Sequence, residues 1–408
     1  MKEPISYESA IEVVRKETPG PTDVQQVPLA DADGRILAED VLSDVDIPPF
    51  RKAMMDGFAV RCEDVASPNA PLEVTARIPA GATPPSALAP LTVVEVMTGA
   101  PVPEGADAVV MVEQSSGFGA RTVTFYRTPS IGDHISEIGE ILNEGDRILE
   151  KGARVGPDEV ALLATVGCDP TPVFSLPSVA VLTTGDELVP PDTRPGPARI
   201  RNTNGVLLGA FLKSRGIRPR DLGCAKDRLD EIGEKVESGL DADLLLISGG
   251  VSTGAFDFVQ DVLRSLSVAI HFSKVAQKPG KPTVFGTLDK AGRRHVVMGL
   301  PGNPVSTSVV AQLLVGCALD RLTGKRRIGP HIVHAVLTKS IRKKPNRLWF
   351  VPGNIILGPE LSVTPVSSRG SADVLSYQKS NCLIMAPEGI ASIVPGDTVQ
   401  VILKDTTS

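Results

Sequence analysis

Three short segments of this chain share an unusual make-up: Thr183-Thr-Gly-Asp-Glu187, Ser248-Gly-Gly-Val-Ser252 and Leu300-Pro-Gly-Asn-Pro304. Each follows an apolar run, VAVL, LLLI or VVMG, and each sets glycine beside hydroxyl, amide or proline neighbours. Glycine lets backbone N–H groups approach a ligand closely, and such donors beside a helix N-terminus suit phosphate or another oxyanion. Between the last two segments lies Lys278-Pro-Gly-Lys-Pro282, with Lys274 just before it. Its prolines stiffen the loop, so its ammonium groups are expected to act as fixed anion clamps. Carboxylates occupy the same stretch: Asp186, Glu187 and Asp257, with Asp227 after Cys224-Ala-Lys226. Beside lysines and phosphate donors, carboxylates suit a Mg²⁺ ion held jointly with a substrate phosphate. Any one of these turns alone is an ordinary loop; their joint occurrence is the functional signal. In the N-terminal half, Met54-Met-Asp-Gly-Phe58 and Met97-Thr-Gly-Ala-Pro-Val-Pro103 read, standing alone, as a turn and a stiff strand cap.

Several chemistries lose their main support. Neither a Walker A motif nor GxGxxG is present, and no GxSxG elbow appears. Five scattered histidines argue against a His-based nucleophilic triad, and five cysteines without CxxC spacing disfavour zinc sites and a disulfide framework. A net charge of −6 argues against general nucleic-acid binding. The charged N-terminus has no signal-peptide core, and no apolar run reads as long enough to span a bilayer. These features lead us to expect a reduced, cytoplasmic protein without membrane or nucleic-acid partners.

The elements that must position these turns follow from periodicity. At 408 residues the chain is too long for one ordinary core, and length suggests roughly two to four domains. Residues 6–16 fit a short amphipathic helix capped by Ser6, and 20–50 read as extended segments ending in the connector Asp46-Ile-Pro-Pro-Phe50. Between about 60 and 130 strands recur (PLEVTARI, LTVVEVM, DAVVMVEQ, RTVTFYRT), indicating a small all-β domain. Residues 152–167 read as helical. From Ser178 strands alternate with helices, with Asn204 as the expected N-cap of one helix and 257–266 as another. Strands apolar along their whole length indicate a mostly parallel sheet covered on both faces. In such sheets ligands bind outside the strands' carboxyl ends, where the three glycine segments lie. From Gly329 alternating strands return as a terminal β-domain.

Six ordered motifs carry a resemblance: PPF-x-x-x-x-MDG-F-AV, MTGAPVPEGADAVV, TTGDELV, SGGVSTGAFD, KPGKP and LPGNPVS. Together they resemble the molybdopterin molybdenumtransferase family, the MoeA type shared with the E domain of gephyrin, over nearly the whole chain. The resemblance implies a multidomain α/β plus all-β chain with a central α/β domain of the molybdopterin-binding type over 176–326. It further implies a small β-domain over 46–144, a C-terminal β-domain over 327–408, and a discontinuous connecting and dimerisation domain formed by 1–45 and 145–175. It implies a homodimer that inserts molybdate into adenylylated molybdopterin, releasing AMP with the help of Mg²⁺, and that meets a molybdopterin adenylyltransferase and acceptor molybdoenzymes. Carried over by motif, Asp56, Thr98, Glu187, Asp227 and Asp257 are the expected catalytic residues, the last three also holding the metal. Substrate would be bound by Thr184, Gly185, Asp186, Ser248, Gly249, Gly250, Ser252, Lys274, Lys278, Lys281, Pro301, Asn303, Pro304 and Ser306, with Arg347 and Ser371 from the terminal domain.

The chain departs from the family pattern in one stretch. Where the family shows Asn-x-Arg-x-x-Gly-Glu-Asp, this chain has His134-Ile-Ser-Glu-Ile-Gly-Glu-Ile141, so Ser136 replaces an arginine and Ile141 an aspartate. Ala53 stands where serine is frequent, and Asp227-Arg228 where two aspartates are usual. Isoleucine neither coordinates a cation nor accepts a proton. Either that aspartate is supporting, or the chain is a weakened paralogue that carries, chaperones or scaffolds the cofactor.

Overall fold

The computed structural model describes residues 3–67, 69–83, 86–251 and 258–404. The chain divides into two compact units: Met1–Glu39, Lys151–Gly156 and Thr171–Ser408 form one, and Asp40–Glu150 with Pro157–Pro170 form the other.

At the centre of the first unit is a six-stranded sheet in the order Arg220–Ala225, Val179–Thr184, Leu244–Ser248, Arg293–Leu300, Val284–Lys290 and Ala269–Phe272. The first four strands are parallel and the last two antiparallel. Side chains alternate between two cores because a strand has a period of two. Val179, Val181, Leu244, Leu246, Val296 and Met298 enter one core; Ala180, Leu182, Leu245, Ile247 and Val297 enter the other. Leu208, Leu212 and the Pro304–Leu322 helical run cover the first face. Ile232, Val236, Val259, Val262 and Leu263 cover the second. Burial of both faces explains why these strands lack polar alternation.

Three local expectations need correcting. Asn202, not Asn204, caps the Thr203–Lys213 helix, its side chain accepting from the Gly205 N–H at 3.0 Å. The stretch expected to be helical from 152 begins its helix only at Pro157, because Gly152, Ala153 and Val155 pair with Leu37 and Arg35 instead. The Pro304–Leu322 run is, by length and composition, apolar enough to cross a membrane, contrary to the sequence reading. Its apolar window is 78% buried inside the protein, which makes it the core helix beneath the sheet. Ser6 does cap the first helix, Tyr7–Glu17, accepting from the Ser9 N–H at 3.0 Å. That helix drives Tyr7, Ala10 and Val14 into the first core.

The C-terminal strands close on themselves. Leu348–Ile356, Ser362–Pro365, Ile332–Leu337, Thr398–Leu403 and Cys382–Ala386 pair in that order, and 382–386 pairs back onto 348–356. Closure removes the exposed edges that an open sheet would present. Gln277–Lys278 adds to this barrel as a short parallel strand beside 348–349.

The second unit holds a five-stranded sheet ordered Ala108–Met111, Gly57–Val60, Thr92–Val96, Leu72–Ile78 and Thr122–Val123. The MDGF segment bends over 54–56, as the expected turn requires, and enters an interior strand at Gly57. Its glycine is a packing requirement: a Cβ at Gly57 would lie 2.0 Å from the Val110 carbonyl oxygen. Overpacking against backbone has no side chain to move aside. We expect Gly57→Ala to destabilise this unit by about 1–3 kcal/mol, read as a lowered urea midpoint; an unchanged midpoint would refute the close approach.

Candidate functional site

Strands 179–184, 244–248 and 293–300 are parallel neighbours, so their chain exits emerge at one sheet edge and line a single cleft of about 630 Å³. Thr184, Gly185, Glu187, Asp227, Ser248, Gly249, Gly250, Pro301, Asn303 and Pro304 all line it. Lining residues beyond those expected include Arg201, Asn202, Asn204 and, from the terminal domain, Ala372 and Val374.

One asparagine steadies the first exit and another ties the second to the third. Asn202 Nδ2 donates to Thr183 Oγ1 at 2.8 Å. Asn204 Nδ2 donates to Ser248 Oγ and to the Gly302 carbonyl, each at 2.8 Å. Ser248 Oγ donates onward to the Pro301 carbonyl at 3.3 Å, and Gly249 N–H to Leu300 O at 3.1 Å. With both amide protons engaged, Asn204 has one orientation, since a flip would face its oxygen to a carbonyl. Thr184 Oγ1 and Asn204 Oδ1 are buried without a hydrogen-bond partner among the described residues. Unmet buried polar atoms at a cleft wall are a cost that folding alone does not explain.

The glycines keep the turns close. Gly249 has φ +101°, and a Cβ there would lie 2.4 Å from the Thr184 carbonyl oxygen. A Cβ at Gly250 would lie 2.9 Å from Thr184 Oγ1. The acidic side of the cleft is built by two neighbouring exits: Asp186 N–H points to the Asp227 carboxylate and Asp227 N–H to that of Asp186, both at 3.4 Å. At Cys224, next to this cluster, burial first, then Glu187, Asp227 and Glu231, push the thiol pKa up, against a hydrogen bond from Thr183.

The remaining expected residues fall elsewhere. Ser252 and Asp257 lie outside the described residues. Ser306 is buried in the helix after Asn303, and Ser371 accepts from Asn303 Nδ2 at 3.0 Å. None of Lys274, Lys278 and Lys281 lines the cleft, although Pro282 of the same loop does. The strand pairing of 277–278 with the barrel carries Lys278 over Trp349, its Nζ 3.8 Å from the ring centroid. Burial, then Arg347 and Lys344, lower the Lys278 pKa. Three cations are thereby gathered with no carboxylate in ion-pair contact among the described residues. In the second unit, Asp56 accepts from Thr98 N at 2.6 Å and Thr98 Oγ1 at 2.8 Å, which holds its carboxyl below the usual range. Ser136 Oγ donates to Glu140, and Ile141 is 72% exposed.

If the cleft floor depends on this glycine contact, Gly249→Ala should cut ligand affinity and turnover at least about tenfold while leaving far-ultraviolet circular dichroism unchanged. Wild-type kinetics in that variant would disprove the dependence.

The comparisons with known proteins agree with this geometry. Residues 5–167 match the MoeA N-terminal region (domain I and II), 180–321 a probable molybdopterin binding domain, and 334–404 the MoeA C-terminal region (domain IV). A Staphylococcus epidermidis protein called molybdopterin molybdenumtransferase is 33% identical over 99% of this chain and 97% of its own length. A Bacillus subtilis protein of the same name is 36% identical over 93% of this chain and 90% of its own. The crystal structure of a molybdopterin biosynthesis MoeA protein from Pyrococcus horikoshii superposes with a TM-score of 0.83 at 31% identity, covering 98% and 99% of the two chains. On a match of this length, the chain belongs to the MoeA-type molybdopterin molybdenumtransferase family, transferases of molybdenum cofactor biosynthesis.

Proposed function

We propose that this protein transfers molybdate into the dithiolene of adenylylated molybdopterin and releases AMP. The observation that supports this most is the convergence of three glycine-lined exits on one cleft with Glu187 and Asp227 in its wall. The backbone turns bind and orient the nucleotide's phosphates, and the cleft size suits a pterin nucleotide. Cleaving the pyrophosphate linkage needs a water oxygen at the molybdopterin phosphorus with AMP as the leaving group, while the dithiolene sulfurs bind molybdenum as one molybdate oxygen leaves with the two thiol protons as water. The chain's part is to hold that linkage in line and to balance charge on the phosphates.

Mg²⁺ is part of the proposal. Carboxylate oxygens suit a hard cation, and Glu187 and Asp227 would hold it with substrate phosphate. No group of three His, Cys, Asp or Glu fit for a metal occurs among the described residues; Asp257, the third expected ligand, lies outside them. The ion when bound supplies charge neutralisation on the phosphates. Lys278, Lys344 and Arg347 form a second, cationic locus suited to the tetrahedral molybdate dianion. Asp56, fixed by Thr98, is proposed as a catalytic carboxylate. A homodimer in the cytoplasm, receiving substrate from an adenylyltransferase and passing product to molybdoenzymes, completes the reading; sedimentation would check the dimer.

A second reading, a carrier of the cofactor, is favoured by one observation: Ile141 stands exposed where the family has an aspartate. An anaerobic assay of AMP release separates the two. We expect molybdate-dependent AMP release by the wild type, and a loss of about tenfold to a thousandfold in Asp227→Asn. Tight substrate binding without AMP release would replace the transferase reading by the carrier one. In the same assay, Lys278→Met should raise the molybdate KM about tenfold to a hundredfold without weakening binding of adenylylated molybdopterin; equal losses for both substrates would rule out a separate oxyanion locus.

A further inference from the structure

One wall of the cleft comes from the terminal domain, and it is held from behind. Ala372 and Val374 line the cleft, and Val374 begins the short helix Val374–Gln378. The front of this segment is fastened at the cleft itself, by Asn303 Nδ2 on Ser371 Oγ and by Val305 N–H on the Ser371 carbonyl at 3.1 Å. Asp373 caps the helix, accepting from Ser376 N–H at 3.2 Å and Arg369 N–H at 2.9 Å.

The back of the segment carries Tyr377, which meets two side chains from elsewhere, and none of the three lines the cleft. Tyr377 packs its ring against the sheet's first core. Its hydroxyl donates to Gln312 Oε1 at 3.3 Å. The Gln312 Nε2 group donates to the Leu403 carbonyl at 2.9 Å, at the end of the last barrel strand. The next residue, Lys404, sits with Nζ 3.3 Å from the Tyr377 ring centroid. Its ammonium donates to the carbonyls of Tyr377 and Ser380 and to Ser380 Oγ. Gln312 itself lies in a π-turn, Ala311–Val315, within the helical run that starts at the Pro301–Pro304 exit. A π-turn inside a helix is often kept for function, because the wider turn re-aims a side chain.

We infer that Tyr377, Gln312 and Lys404 are positioning residues: a latch that holds the 371–378 wall against the cleft and thereby sets affinity for the molybdopterin nucleotide. The helix has only five residues, too few to be stable alone, so its place depends on these contacts. The helical run that carries the third glycine exit also carries the latch acceptor. Cleft floor and cleft wall are therefore referenced to the same rigid element, and a break in the latch frees the wall without touching the floor. The ammonium of Lys404 reinforces the arrangement by binding the carbonyls at the helix C-terminus, where a cation is favoured.

This inference rests on the transferase reading for the identity of the ligand. The test is anaerobic titration calorimetry with adenylylated molybdopterin on the full chain, beside AMP-release kinetics and amide hydrogen exchange. Tyr377→Phe and Gln312→Leu should each raise Kd about two- to tenfold, leave kcat nearly unchanged, and speed exchange across 372–378. Lys404→Met should act in the same direction. Unchanged Kd in both Tyr377→Phe and Gln312→Leu overturns the inference, whatever happens to exchange. A wild type that binds the nucleotide but releases no AMP defeats the transferase reading alone, and the Kd comparison still decides the latch; a wild type that binds nothing overturns both.

Discussion

Parallel strands that are apolar on both faces must be roofed twice and must all end at one edge. That constraint organises this molecule. Val179–Thr184, Leu244–Ser248 and Arg293–Leu300 have no polar face to turn to water, so two helical layers cover them and the chain leaves each strand in the same direction. Their exits become neighbours by pairing geometry, with no separate interaction needed to recruit them. What remains for individual side chains is fine adjustment: Asn204 bonds the second exit to the third, and Asn202 holds Thr183 at the first.

Charge is sorted by the same scaffold. The exit after 179–184 and the one after 220–225 bring Glu187 and Asp227 to one side of the cleft, with Asp186 bonded behind them to Asp227. The lysine loop continues instead into the barrel, and its short strand places Lys278 on Trp349 among other cations. A carboxylate cluster suited to a metal–phosphate pair and an ammonium cluster suited to a dianion are thereby kept from neutralising each other. Had the lysines projected into the acidic wall, ion pairing would have lowered the affinity of both for ligand.

The barrel has a double role. It closes its own edge by pairing 348–356 with 382–386, and it lends the cleft the Ala372–Val374 wall. That wall lies in a loop between barrel strands, the part of a β-fold free to serve a site while the strands hold the core.

Much of the site was legible because it rests on local chemistry. Unbroken apolar runs marked the sheet strands, and glycine after an apolar run marked all three exits; at Gly249 close backbone approach leaves no other residue type free of strain. Gly57 illustrates the reverse case: the sequence showed MDGF, but only the close approach to the Val110 carbonyl on the neighbouring strand reveals why the glycine is there. Arg201, Asn202 and Asn204 were passed over as lining residues because they precede or open a helix and follow no apolar strand. Composition and order of motifs by themselves determined the family, the alternating architecture and the position of the glycine turns, because those depend on neighbours in the chain. Which lysines leave the cleft, which asparagine caps and which one bridges, and the barrel's share in the wall were decided by tertiary structure alone, because each depends on contacts between segments tens to hundreds of residues apart.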